Sequence, residues 1–287
     1  MLSYPFTTMR RALEGNIIWI TGASSGIGRA LAIEASRRGA QLILSGRNEE
    51  ALRETALQCK KAHESAKRGA CVDNSFYSLL PFDLEDAHAR DEAARRAQSL
   101  FGRIDILVLN AGVSQRATFA ETSVDVFKKI MQTNFDAPVA LIRAILPEMR
   151  MRNAGMIVGI SSLAGLIGAP LRTAYSASKH AFAGFLSSLS AELYGSGVHV
   201  SLVYPGFVRT SISENALSGN GTRHVQLDPL QEKGQDPAKT ARIIWNRICA
   251  GAIDIKVALD FKAWLGIFLA RRHPELFIRS VSRHGGL

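Results

Sequence analysis

Tyr175-Ser176-Ala177-Ser178-Lys179 places a phenol and an ammonium four residues apart. On a helix that spacing stacks them on one face, one turn apart. A phenol with a pKa of about 10 is a poor proton donor or acceptor at neutral pH. A neighbouring ammonium stabilises the phenolate, and Tyr175 could then exchange a proton under working conditions. Alone the pair is weak, because Tyr and Lys fall at this spacing on many helices by chance. Ser161-Ser162 closes an apolar run, and Ser162 lies 13 positions before Tyr175. Asn110-Ala111-Gly112 and Pro205-Gly206 close two other apolar runs.

A second constellation is Thr21-Gly22-Ala23-Ser24-Ser25-Gly26-Ile27-Gly28, between an apolar run and a helical pattern. Glycines let the backbone turn tightly and approach a ligand closely. The N–H groups opening the helix face an anion, helped by the helix dipole. Gly22, Ser24, Ser25, Gly26, Ile27 and Gly28 are thus candidates to cradle a dinucleotide's phosphates. The Gly-x3-Gly-x-Gly spacing differs from the commonest dinucleotide fingerprint. The end of the second apolar run reads Ser45-Gly46-Arg47-Asn48. An NAD site wants a carboxylate there for the ribose hydroxyls. Here it is missing, and Arg47 and Asn48 stand in its place. A guanidinium suits a 2′-phosphate by charge and by its planar fork, so the expected cofactor is NADP(H) over NAD(H). The plainer alternative makes Arg47 an ordinary surface arginine.

Positioning these groups falls to alternating strands and helices. Residues 16–20, 41–44, 77–82, 104–109, 156–160, 199–204 and 254–259 are short apolar runs bounded by Gly, Asp, Asn or Pro, and read as buried strands. Helical periodicity covers 29–38, 49–61, 85–101, 124–150, 174–194 and 237–249. The fold expected is α/β: a doubly wound, seven-stranded parallel sheet in a single domain, with helices on both faces. Such sheets bind ligands beyond the carboxyl ends of their strands, where Ser162, Asn110 and Gly206 fall. Residues 206–235, rich in Ser, Asn and Gly, read as a lid over the site. Phe207, Ile212 and Leu217 could meet an apolar ligand there or simply anchor the lid. Residues 63–74 read as a surface excursion.

The chain has 287 residues, 47% apolar and 21% charged, which excludes a disordered, collagenous or coiled-coil protein. No apolar stretch reaches the roughly 18 residues of a spanning helix. Thr7, Thr8, Arg10 and Arg11 interrupt the start, so no secretory signal is expected and the default address is the cytoplasm. Cys59, Cys71 and Cys249 show no metal spacing and read as reduced thiols; no metal site is expected. The net charge is +10, but the basic residues are scattered and no groove-reading helix or aromatic RNA motif appears, so nucleic acid is not an expected partner.

Taken together, these motifs resemble the short-chain dehydrogenases/reductases, a family with a Rossmann-type fold. The resemblance covers roughly residues 15–259. It rests on the loop at 21–28, Asp83-Leu84, Asn110-Ala111-Gly112, Asn134, Ser162, Tyr175-x3-Lys179, and Pro205-Gly206 with Thr210, in the family's order and spacing. Leu109 departs from it, where many members carry a second Asn. The resemblance implies NAD(P)-linked hydride transfer between a carbonyl and an alcohol. It implies Tyr175 as proton donor and acceptor, with Lys179 lowering its pKa and holding the nicotinamide ribose. Ser162, favoured over Ser161 by the 13-residue separation, would bind the substrate oxygen, as would Tyr175. Asn134 would hold a water that relays protons from Lys179; the alternative is a capping or turn asparagine. Asp83 and Leu84 would flank the adenine. Asn110, Ala111 and Gly112 would line the ribose, and Pro205, Gly206, Val208 and Thr210 the carboxamide and phosphate side. A homodimer or homotetramer through 135–150 and 175–194 is also implied. A regulator that binds NADP(H) without turnover is the alternative function, though such relatives typically lose Tyr or Lys.

The domain is expected over 1–260, followed by an apolar and basic tail at 261–287. From Lys256 to Leu287 there are six Lys/Arg against two Asp/Glu. Aromatic and aliphatic residues beside arginines suit a helix at a membrane surface; a helix packed on the domain or at a subunit contact is the equal alternative. The tail, with 102–108 and Ser114-Gln115-Arg116, resembles the dehydrogenase/reductase group numbered seven in animals. That resemblance implies a lipophilic carbonyl or alcohol substrate and a peripheral membrane location.

Overall fold

β1 (Ile17–Thr21) is apolar throughout because both of its faces are covered. Ile18 and Ile20 point into one core layer, and Ile17 and Trp19 into the other, as the two-residue period of a strand requires. The same holds across β2 (Gln41–Ser45), β4 (Ile106–Leu109), β5 (Gly155–Ile160) and β6 (Val198–Pro205). With β3 (Tyr77–Leu79) and β7 (Asp254–Val257) they form one parallel sheet in the order β3-β2-β1-β4-β5-β6-β7. The order reverses between β1 and β4, and the crevice at that reversal is where such sheets bind ligands.

The computed structural model describes residues 13–66, 76–226 and 228–283. Most of the segment read for a leader, Cys71 and most of the 63–74 excursion lie outside them.

Helices α1 (Gly26–Arg37), α2 (Glu49–Ala66) and α8 (Pro237–Cys249) cover one face. Trp245 of α8 is fully buried there, and its indole N–H donates to the Leu31 carbonyl at 3.0 Å. Helices α3 (Ala87–Leu100), α5 (Ala137–Met151) and α6 (Thr173–Glu192) cover the other. Phe182, Leu186 and Leu189 of α6 belong to that core. Each fully buried aliphatic or aromatic side chain contributes about 1.5–3 kcal/mol.

Several boundaries differ from the sequence reading. α1 begins at Gly26 rather than 29, because the glycine turn itself opens the helix. The single helix expected over 124–150 is α4 (Val124–Met131), a π turn (Gln132–Asp136) and α5. Pro138 explains the break: it has no N–H for the Asn134 carbonyl, so the i→i−4 ladder cannot run through. β3 and β4 are shorter than expected, and β7 ends at Val257, before Ala258 turns to a φ of +58°. Residues 206–235 carry a short helix, α7 (Pro229–Glu232), and their ends are pinned together: Gln235 N–H donates to Phe207 O at 2.8 Å and Arg209 N–H to Gln235 O at 3.0 Å.

The tail folds as two helices, α9 (Phe261–Arg272) and α10 (Pro274–Arg283). No helix among the described residues is long and apolar enough to cross a membrane.

Candidate active site

The strand ends, the loop after β1 and the 206–235 segment enclose a cleft of about 770 Å³. Its first wall is Gly22 to Ile27. A β-carbon on Gly22 would lie 2.8 Å from the Ala111 Cα, and one on Gly28 would lie 2.2 Å from the Gly22 carbonyl oxygen. Gly22 also has a φ of +66°, which side-chain-bearing residues rarely adopt. Ser25 precedes α1 in an extended conformation and makes no side-chain capping bond. The N–H groups of the first turn therefore remain for an anion, as helix starts allow. Arg29 donates to the Ser24 carbonyl at 2.6 Å and fixes the loop from behind.

Asn110 ties this loop to β4. Its side-chain N–H₂ donates to Thr21 O and Gly22 O, both at 3.1 Å. The Thr21 hydroxyl accepts from Asn110 N–H at 3.1 Å and Ala111 N–H at 3.2 Å. The sequence reading places Thr21 in the loop motif but gives its hydroxyl no role of its own.

Arg47, Asn48, Asp83 and Leu84 line the far end of the cleft. Arg47 is largely exposed, 3.9 Å from Asp83 and 3.8 Å from Glu85. The Asn48 side chain caps α2, accepting from Ala51 N–H at 2.9 Å. Pro205, Gly206, Val208 and Thr210 form the opposite side. Thr210 stands close enough to Gly26 that a β-carbon there would meet it at 3.0 Å.

Ser162, Tyr175 and Lys179 meet at the near end, and all three line the cleft. The Ser162 hydroxyl stands by the Tyr175 phenol and favours its phenolate. It also accepts from Ala164 N–H at 3.2 Å. Ser161 instead turns inward and donates to the Lys179 carbonyl at 3.2 Å. Lys179 is buried, and its Nζ donates to the Ile160 carbonyl at 3.0 Å. It stands 6.0 Å from the centroid of the Tyr175 ring.

The electrostatics differ from the expectation drawn from spacing. Burial pushes the Tyr175 phenol up, while the Ser162 hydroxyl and the Arg172 charge pull it back. Burial brings Lys179 itself down to about 8. Arg172, three residues before Tyr175, escaped the sequence reading. The signal was a guanidinium at the residue that opens the helix carrying Tyr175.

Two predicted residues stand behind the wall. Gly28 packs under Gly22. Asn134 is buried in the π turn: its Oδ1 accepts from Val113 N–H at 2.9 Å, and its Nδ2 donates to Val113 O and Ser178 Oγ, both at 2.9 Å. A β-carbon on Gly112 would touch Asn134 Oδ1 at 3.1 Å and Lys179 Nζ at 3.3 Å, so the three groups are neighbours.

The lid is fastened beside Tyr175. Asp228 is buried, and its Oδ2 accepts from Arg116 at 2.6 Å and Arg172 at 2.8 Å. Its Oδ1 caps α7 through Leu230 N–H at 3.0 Å. Phe207, Ile212 and Leu217 all line the cleft.

Residues 16–221 match the family model described as short chain dehydrogenase. Dehydrogenase/reductase SDR family member 7B of Bos taurus is 37% identical, over 96% of this chain and 82% of its own length. Dehydrogenase/reductase SDR family protein 7-like of Drosophila melanogaster is 38% identical, over 93% of this chain and 80% of its own. Among solved structures, a short chain dehydrogenase/reductase from Burkholderia phymatum in complex with NAD gives a TM-score of 0.79 at 25% identity, covering 93% of this chain and 96% of that one. A metagenomic short-chain oxidoreductase in complex with NADP gives 0.68 at 28% identity, covering 86% and 98%.

Proposed function

The chain belongs to the short-chain dehydrogenase/reductase family, among the members like group seven, and we propose that it reduces the carbonyl of a lipophilic substrate with NADPH. As a member it is an NAD(P)-dependent oxidoreductase. The observation that carries the reading is the meeting of Ser162, Tyr175 and Lys179 at one end of a cleft whose other wall is bare glycine backbone. That wall fits a dinucleotide, because Gly22 and Gly26 line it without side chains and Ser25 leaves the first N–H groups of α1 uncapped for a phosphate. NADP(H) over NAD(H) is supported by the missing carboxylate after β2 and by Arg47 at the cleft rim. A lipophilic substrate is supported by Leu163, Ile167, Phe207, Ile212 and Leu217 on the walls around Tyr175.

When bound, the nicotinamide supplies or accepts the hydride. The protein's own part is to hold the substrate oxygen and handle the proton. Ser162 and Tyr175 donate hydrogen bonds to the oxygen as negative charge grows on it. Tyr175 then releases its proton to that oxygen. Burial holds the phenol protonated, which suits a donor, and Ser162 and Arg172 stabilise the phenolate left behind. Lys179, with a pKa of about 8, returns the proton. Asn134 has its side chain fully engaged, so any water that it holds for the relay binds its main-chain carbonyl. Pro138 deprives that carbonyl of its ordinary helical donor.

The test is a panel of quinones, steroids, retinoids and aliphatic ketones with NADPH, with Tyr175→Phe as the control. Removing the general acid should lower kcat by about 10²–10⁴ while leaving NADPH affinity within twofold. Near-normal turnover in the variant would remove Tyr175 from the mechanism. Cofactor binding by the wild type without turnover across the panel would favour the regulatory alternative.

A further inference from the structure

We propose that the α9–α10 hairpin docks on an anionic lipid surface and that the cleft opens beside this docking face. α9 is apolar on two opposite faces. Ala263 and Ile267 face inward and pack with Phe277 of α10 against Leu163 and Ile167. Phe261, Trp264, Leu265 and Phe268 follow the i, i+3, i+4, i+7 spacing of a single stripe. That stripe faces outward: Phe261 is 80%, Trp264 50%, Leu265 43% and Phe268 55% exposed. Leu276 and Ile278 of α10 are also more than half exposed. A helix apolar all round is ordinarily buried on both sides or set in lipid. Here one side has a partner within the fold, and the other is largely exposed, with Phe268 meeting the ring of His273 at 6.2 Å.

Charge selects the occupant. Lys262, Arg271, Arg272 and Arg279 are exposed around the stripe, against Asp260 and Glu275. Asp260 is already engaged in capping α9. A two-fold contact with a second copy sets a patch against itself and would bring these cations together. An anionic bilayer complements them, each cation near the surface raising partitioning about fivefold. Aromatic side chains beside Lys and Arg are the pattern of interfacial helices.

The hairpin floor is also a wall of the cleft. Leu163 and Ile167 line the space near Tyr175 with one side and pack against α9 with the other. A lipophilic carbonyl leaving the bilayer beside the hairpin would meet the cleft without crossing open water. This access route rests on the proposed reaction; the docking itself does not.

The chain has three tryptophans, and Trp19 and Trp245 are fully buried, so Trp264 is the exposed fluorophore. Adding vesicles of phosphatidylcholine with one quarter phosphatidylserine to the full chain should shift its emission to the blue and float it. Vesicles of phosphatidylcholine alone should bind markedly less. Trp264→Ser with Phe268→Ser should lower the bound fraction at least about tenfold without altering turnover of a water-soluble carbonyl. Flotation unchanged in the double variant would overturn the proposal. So would the absence of both flotation and blue shift with the wild type, or a concentration-dependent dimer that the double variant abolishes while vesicles bind neither protein. A wild type that floats yet reduces no carbonyl would sink the reaction and leave the docking face standing.

Discussion

Replacing Asp228 with alanine should release the lid. The carboxylate is buried, with a side-chain exposure of 4%, and it is shared by Arg116 and Arg172, themselves 18% and 13% exposed. Without it two guanidiniums face each other with no counter-ion, and α7 loses its cap. Removing one partner of a buried ion pair costs about 3–5 kcal/mol, and losing a cap about 1 kcal/mol. Both arginines reach some solvent and can relax toward the cleft, so we take the low end, about 3 kcal/mol. That is roughly a hundredfold in the population of open lid, since 1.4 kcal/mol is a factor of ten. Arg209 and Arg223 lie in the lid and are exposed, so trypsin can report it. When opening is fast relative to cleavage, the cutting rate follows the open population. Asp228→Ala should therefore be cut between 206 and 235 roughly a hundred times faster than wild type. Asp228→Asn, which keeps an acceptor for the cap but loses the charge, should fall between. Equal cutting rates for all three proteins would refute the latch and the energetic reasoning behind it.

Arg47→Ala should weaken NADPH binding about tenfold and leave NADH nearly unchanged, the low end of a charge-assisted bond because the guanidinium is exposed and shared with Asp83 and Glu85; titration of both nucleotides checks this, and equal losses would dissolve the preference. Gly28→Ala should lower both cofactor affinity and the urea midpoint, because its Cβ would strike the Gly22 carbonyl; a wild-type midpoint with intact affinity would contradict the packing. Lys179 should make stability rise with pH. Its folded pKa of about 8 lies below its ordinary 10.5, so between these values the unfolded chain binds more protons and rising pH favours folding. Urea unfolding of wild type and Lys179→Met across pH 7–10 should diverge in the wild type's favour above pH 8, and parallel curves would count against the burial of the ammonium.

Residues that act through local spacing were legible in the sequence. Tyr175 and Lys179 share a helix face by arithmetic, and Ser162, Asn110 and Gly206 fall at strand ends because parallel strands all finish at one edge. The central strands β1, β4 and β5 were legible because both faces are buried and each is a nearly unbroken apolar run, whereas the edge strands β3 and β7 are only partly buried and carry Ser78, Asp254 and Lys256. The π turn at Asn134 was missed although Pro138 stood in the expected helix; the apolar pattern continues through it and hides the break. The Arg116–Asp228–Arg172 cluster could not be read, since its members lie 112 and 56 positions apart and nothing in local pattern pairs them. The direction of the Tyr175 shift was missed for a related reason: spacing places the ammonium nearby but says nothing of how deeply the phenol is buried.

The Asn110 amide grips two consecutive carbonyls of the β1 turn, and the Thr21 hydroxyl grips two consecutive amides of the β4 turn. Two strand tips nearly ninety residues apart in the chain are thus laced into one rigid mould as the sheet forms. Ordering the nucleotide's seat is then part of folding rather than of binding, which spares the complex an entropic penalty. Warming should leave the seat intact until the sheet itself melts, so affinity and secondary structure should be lost in a single transition.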